Sequence, residues 1–163
     1  MTAVPALGFQ MISQTVPAPG QHLAAAHTVG APWAQMMKLS IFDPAAIREI
    51  NFTPGRHMAD PRGQIRVPPA DEMLLLHYKY LGLERTHQRH RQLRQGLGRI
   101  DAERGFGHKY SWSADELRED WERHARRAVD VRKLGREAAA RDEAPPWWQK
   151  YREPVRGGGE RVP

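Results

Sequence analysis

Apolar and polar positions alternate along Lys38-Leu39-Ser40-Ile41-Phe42, a pattern that predicts a β-strand. A second, more apolar run, Met73-Leu74-Leu75-Leu76-His77-Tyr78-Lys79-Tyr80, is short and tightly bounded, which predicts a buried strand. Gly8 to Ser13 mixes apolar and small polar residues and predicts a third, ended by Pro17, Pro19 and Gly20. Elsewhere residues 1–37 keep no period and read as irregular loop. Asp43-Pro44 pairs a good N-cap with a residue suited to the first helical position, so 43–49 is predicted as a helical turn. Ile50 to Thr53 then returns to extended structure. Asp60-Pro61-Arg62-Gly63 has turn chemistry and should connect the segment around His57 to Gln64-Ile65-Arg66-Val67.

The period changes after Tyr80. Leu83, His87, His90, Leu93, Leu97 and Ile100 recur every three or four residues and predict one helix over 83–104, weakened by Gly96 and Gly98 and ended by Gly105-Phe106-Gly107. Ser113-Ala114-Asp115-Glu116 is a capping box opening a second helix. Its apolar stripe is Leu117, Trp121, His124, Ala128 and Val131, with acidic residues early and arginines late, as the helix dipole favours. The whole reads as an α/β chain: a few short strands, two amphipathic helices, and a tail. The expected boundaries are 1–136 for the domain and 137–163 for a flexible Pro/Gly/Arg-rich tail, anchored by Trp147-Trp148.

Composition narrows the chemistry. With 163 residues the chain suits one domain. It has no cysteine, which excludes disulfides, thiolate metal sites and a cysteine nucleophile, and fits a reducing cytoplasm. There is no apolar run of about 18 residues and so no expected transmembrane helix, and the first twenty residues lack the build of a signal peptide. The net charge of +6 is concentrated between Arg85 and Arg136 and favours anionic partners: nucleic acid, acidic lipid, or a diphosphate. No Walker loop, GxGxxG, GxSxG or HExxH motif is present.

Among the histidines, His87 and His90 stand one turn apart without a carboxylate on their face, and read as packed, polar-tipped side chains. His77 reads as a hydrogen-bonded histidine of an apolar strand. His57 follows Gly55 in a turn-rich stretch of the kind that holds functional side chains.

The order of these segments resembles the C-terminal half of bacterial family 2-type glycosyltransferases, the branch related to family 92. The resemblance covers roughly residues 7 to 112. It is carried by Gly8-Phe9-Gln10-Met11-Ile12-Ser13, then Lys38 to Ile41 with Pro44, then Ile50-Asn51-Phe52 and Gly55-Arg56-His57. Leu74 to Gly82 with its His77-Tyr78-Lys79, and Gly105 to Tyr110, complete the series. The resemblance implies a partial GT-A-like domain and transfer of a sugar from a nucleotide-diphospho-sugar to a glycan or lipid acceptor. It implies a divalent metal, Mn or Mg, whose Lewis acidity stabilises the leaving diphosphate. His57 best matches a late histidine near that metal, and His77, Tyr78 and Lys79 match an acceptor- or donor-side surface. The chain departs from the family in having no Asp-x-Asp. It is therefore expected to be a truncated product, one with a misassigned start, or one that works beside a separate N-terminal piece, and to be inactive alone. The competing readings are a nucleic-acid-binding module built on the arginine-dense helix and an interaction protein using Trp147-Trp148.

Overall fold

The computed structural model describes residues 1–71, 73–133 and 145–152. The chain is mixed α/β. In order it forms β1 (Ala3–Ser13), α1 (Leu23–Ala26), β2 (Val29–Pro32), β3 (Lys38–Phe42), β4 (Ile47–Glu49), β5 (Arg62–Gly63) and β6 (Leu74–Leu81). Then come α2 (Leu83–Gln95), α3 (Arg99–Glu103), α4 (Ala114–Arg127) and β7 (Val129–Asp130), with short 3-10 turns between elements. There are two compact units. The first takes Met1–Gly8, Ala34–Leu75 and the described stretch 145–152; the second takes Phe9–Trp33 and residues 76–133. Strands β1 and β6 supply residues to both.

In the first unit the start of β1 pairs antiparallel with β3, Ala3 opposite Phe42 and Ala6 opposite Lys38. The register shifts between Val4 and Pro5, where proline has no N–H to give the ladder. Ala3, Leu39, Ile47 and Ala59 form the core, flanked by Phe42, Ile50, Phe52, Ile65, Val67 and Trp147. The helical turn expected over 43–49 stops after its first bonds. The Asp43 carboxylate accepts from the Ala45 N–H at 2.9 Å, and the Asp43 carbonyl accepts from Ala46 and Ile47. Ile47 then enters the core, and β4 pairs antiparallel with β5. The Asp60–Gly63 turn is likewise replaced, because Arg62 and Gly63 are drawn into that ladder.

The tryptophan anchor is present. Trp147–Tyr151 is a 3-10 helix in which Trp148 is fully buried. Trp148 Nε1 donates to Asp71 at 3.0 Å, and Trp147 Nε1 donates to the Met37 carbonyl at 3.0 Å. Asp71 also receives the Arg152 guanidinium, and Asp60 receives Lys150 at 2.7 Å and the Tyr151 hydroxyl at 3.1 Å. The remainder of 137–163, with the expected boundary at 136, lies outside the described residues.

In the second unit the end of β1 pairs antiparallel with β2, Phe9 opposite Pro32 and Met11 opposite Gly30. Strand β2 pairs in turn with β7. Residues 3–7 and 29–32 thus leave the expected irregular loop and become strand. Most of β1 is buried, so it shows no alternation to read. Helix α2 stops at Gln95, because Gly96 and Gly98 cost helix propensity, and α3 resumes at Arg99. The expected stripe is buried only in part: His90 is buried, as is Thr86 outside the stripe, Leu83 and His87 are half-buried, and Ile100 on α3 is 59% exposed.

Helix α4 begins as expected. Ser113 Oγ accepts from the Glu116 N–H, and the Glu116 carboxylate accepts from the Ser113 N–H at 2.8 Å. Such a cap is worth about 1 kcal/mol. Leu117 and Trp121 of α4 pack with Ile12 and Tyr80, the Tyr80 and Trp121 rings stacked 5.3 Å apart. No helix among the described residues is long and apolar enough to cross a membrane.

Candidate functional site

The second unit contains a cleft of about 480 Å³ lined by His77, Tyr78, Lys79 and Leu81 of β6, by Arg85, Thr86, Arg89 and Leu93 of α2, and by Tyr110, Leu23 and Pro17. Strand alternation puts His77, Lys79 and Leu81 on one face of β6 and Tyr80 on the other, in the core. The chain must then turn sharply from β6 into α2. Gly82 makes the turn with φ of +75°, a backbone that L side chains rarely adopt, and its N–H donates to the Ser13 carbonyl. The Thr86 hydroxyl donates to the Gly82 carbonyl at 2.9 Å, which fixes the first turn of α2. Arg85 and Arg89, four residues apart, therefore fall on one side of the helix, facing the cleft.

The third wall comes from a tight connection. Gly107 has φ of +69°, and a Cβ there would lie 2.8 Å from the Tyr110 ring. Only glycine lets the 3-10 turn His108–Ser111 bring Tyr110 in so closely. The Tyr110 ring carries the Lys79 ammonium at 4.5 Å and meets the His90 ring edge-on at 5.4 Å.

The cleft is cationic. Its lining includes Lys79, Arg85 and Arg89 and no carboxylate, and none of the three makes an ion pair among the described residues. Burial, Lys109 and Arg89 pull Lys79 down to about 8. His90, beneath the cleft, is pushed to about 4 by burial and by Lys79 and Lys109, so it is neutral at pH 7. Neither of its ring nitrogens makes a hydrogen bond of standard geometry, although the Lys109 backbone stands close enough to favour its protonated form.

Behind this wall lies a charged network that the sequence reading did not single out. Asp120 is 1% exposed and accepts from Tyr80, from Arg123 and, at 3.2 Å, from Lys109. Lys109 also sits 4.8 Å from the Trp112 ring and 5.2 Å from the Trp33 ring. Burial and Arg123 lower Lys109 to about 8. Burial raises Tyr80 to about 12, so it remains a donor. Asp120 stands three residues after Leu117 and four before His124, both buried, so its place on the inner face of α4 was a readable signal.

The expected site residues separate. His77, Tyr78 and Lys79 all line the cleft. His77 Nδ1 is hydrogen-bonded to Gln10 Oε1 at 2.8 Å, and the Tyr78 hydroxyl donates to the His27 carbonyl. His57 belongs to the first unit, after a 3-10 turn in which Gly55 and Arg56 both have positive φ. Its Nδ1 is engaged with the Gln35 carbonyl at 2.5 Å. Among the described residues no three His, Asp or Glu side chains converge, at His57 or elsewhere. No family model, curated protein or solved structure matches the chain.

Proposed function

We propose that this chain carries the substrate-side portion of a family 2-type glycosyltransferase with a GT-A-like fold, and that the cleft at Lys79 meets the anionic part of a substrate. One observation carries the reading. The His77-Tyr78-Lys79 segment, central to the resemblance, lines a cleft of about 480 Å³, and that cleft is cationic. Sugar transfer from a nucleotide-diphospho-sugar develops negative charge on the leaving diphosphate, and fixed positive charge in a partly dry cleft stabilises it. The metal that would share this work needs the Asp-x-Asp the chain lacks. The described residues therefore bind and orient, and the chain by itself is expected to show no turnover. Calorimetric titration with UDP-, GDP- and dTDP-sugars tests the reading. At least one should bind, and Lys79→Met should weaken it about tenfold, the value of one charge-assisted contact. Binding by none of them, or sugar transfer by the purified chain, would contradict it.

A second reading has its own support. Arg85, Arg89, Arg91 and Arg94 are all exposed on α2, a spacing that could follow a nucleic-acid backbone. That reading requires affinity for single-stranded oligonucleotides that falls steeply with salt.

A further inference from the structure

We infer that Lys79, Arg85 and Arg89 form a seat for a dianionic phosphoryl group, and that the cleft takes a phosphomonoester whose organic part lies along Leu23, Leu81 and Leu93. The inference uses the same cleft but does not need sugar transfer. Three cations from two successive elements line one cleft that offers no carboxylate. Such an arrangement keeps like charges together at a cost, and a ligand of matching charge removes that cost. A phosphomonoester is nearly dianionic at neutral pH, whereas each phosphate of a nucleotide-diphospho-sugar carries one charge. The two arginines can meet the terminal oxygens by paired N–H donors, and Lys79 supplies a point charge from the strand side. The volume of about 480 Å³ leaves room beyond the phosphoryl group. The leucines give that remainder an apolar wall.

The seat should also be proton-linked. Lys79 is held near 8 by burial and by Lys109 and Arg89. Of the other polar groups around it, Tyr110 lies under its ammonium, His90 is neutral, and Arg85 lines the same cleft. A bound dianion favours protonated Lys79, so binding takes up a proton when the pH is near or above 8. As pH rises from about 7 to about 9 the protonated fraction of a group at about 8 falls about tenfold, and affinity should fall with it.

Titration of the whole chain with phenyl phosphate, inorganic phosphate and UDP-glucose, in buffers of different ionisation enthalpy, tests this. Phenyl phosphate should bind tightest of the three. Arg85→Gln and Arg89→Gln, both at exposed positions that leave the fold intact, should each weaken it about tenfold. Proton uptake should appear near pH 8 and vanish in Lys79→Met. Failure of phenyl phosphate to bind, or binding indifferent to all three substitutions, would overturn the inference. So would UDP-glucose binding more tightly than phenyl phosphate, while leaving the glycosyltransferase reading intact. Phenyl phosphate binding with no sugar nucleotide bound would sink that reading and keep this one. An oligonucleotide that binds tighter than phenyl phosphate and depends equally on Arg91 and Arg94 would assign the face to nucleic acid and overturn it as well.

Discussion

Asp120→Ala is expected to destabilise the second unit by about 3–5 kcal/mol, the cost of removing one member of a buried charged network. Asp120 is 1% exposed and is the shared acceptor for Tyr80, Lys109 and Arg123. Its removal strands two cations and a hydroxyl. Arg123 is 59% exposed and can turn to water, but Lys109 is only 22% exposed and cannot do so without moving from the Trp33 and Trp112 rings. Most of the cost should therefore fall on Lys109. His124, whose Nε2 stands 3.7 Å from the Asp120 carboxylate, is held near 4 by burial and the surrounding cations, so it adds no third stranded charge. Asp120→Asn keeps the shape and one acceptor and should cost less; Tyr80→Phe removes a single donor and should cost about 1 kcal/mol. Urea titration of the three variants checks the order. An Asp120→Ala variant as stable as the parent would show that the network is not a structural support.

Trp148→Ala is expected to cost the first unit about 3–5 kcal/mol, as large-to-small changes of buried aromatics do. Trp148 is fully buried although it lies in a short 3-10 helix far along the chain from its partners. Its ring meets Trp147 edge-on at 5.4 Å, and its N–H satisfies Asp71. Truncation leaves a cavity and reduces Asp71 to its contact with Arg152. The same helix places Lys150 and Tyr151 on Asp60, and their hydrogen bonds hold that carboxyl below the usual range. Hydrogen exchange at the β3 and β4 amides reads the effect, and protection there should fall. Unchanged protection would mean that the segment 145–152 only rests on the unit.

The elements legible in the sequence are those whose signal is local. Strand β3 alternates and the β6 run is bounded by turn residues, and both are found within a residue of their expected place; α4 opens at its expected capping box but stops at Arg127, short of Ala128 and Val131, where β7 pairs with β2 instead. Strand β2 was hidden, because Gly30 and Pro32 read as breakers when only pairing with β1 makes them strand. The start of β1 was hidden by Pro5, which the register shift accommodates. The turn at Asp43 gave the right cap but the wrong continuation, since the burial of Ile47 outweighs the local preference.

The site was half legible. The His77-Tyr78-Lys79 segment drew attention through its resemblance, and it does line the cleft. Arg85 and Arg89 were seen only as part of a basic helix face. Their role depends on the direction in which Gly82 launches α2, and a periodicity does not encode that direction. Tyr110 depends in the same way on the positive φ of Gly107, which the sequence showed only as the end of a helix. His57, singled out by its place after Gly55, lies in the first unit with Nδ1 on the Gln35 carbonyl, a contact that orients the ring and engages one of its two nitrogens.

The claim that matters most is that the cleft of the second unit is where substrate binds. Backbone amide shifts of the isotope-labelled chain, followed during titration with the tightest-binding sugar nucleotide, test it directly. The account predicts shifts concentrated at His77 to Lys79, Arg85 to Arg89 and Tyr110. Shifts confined to the Lys38–His57 segment of the first unit, or none at saturating ligand, would contradict it.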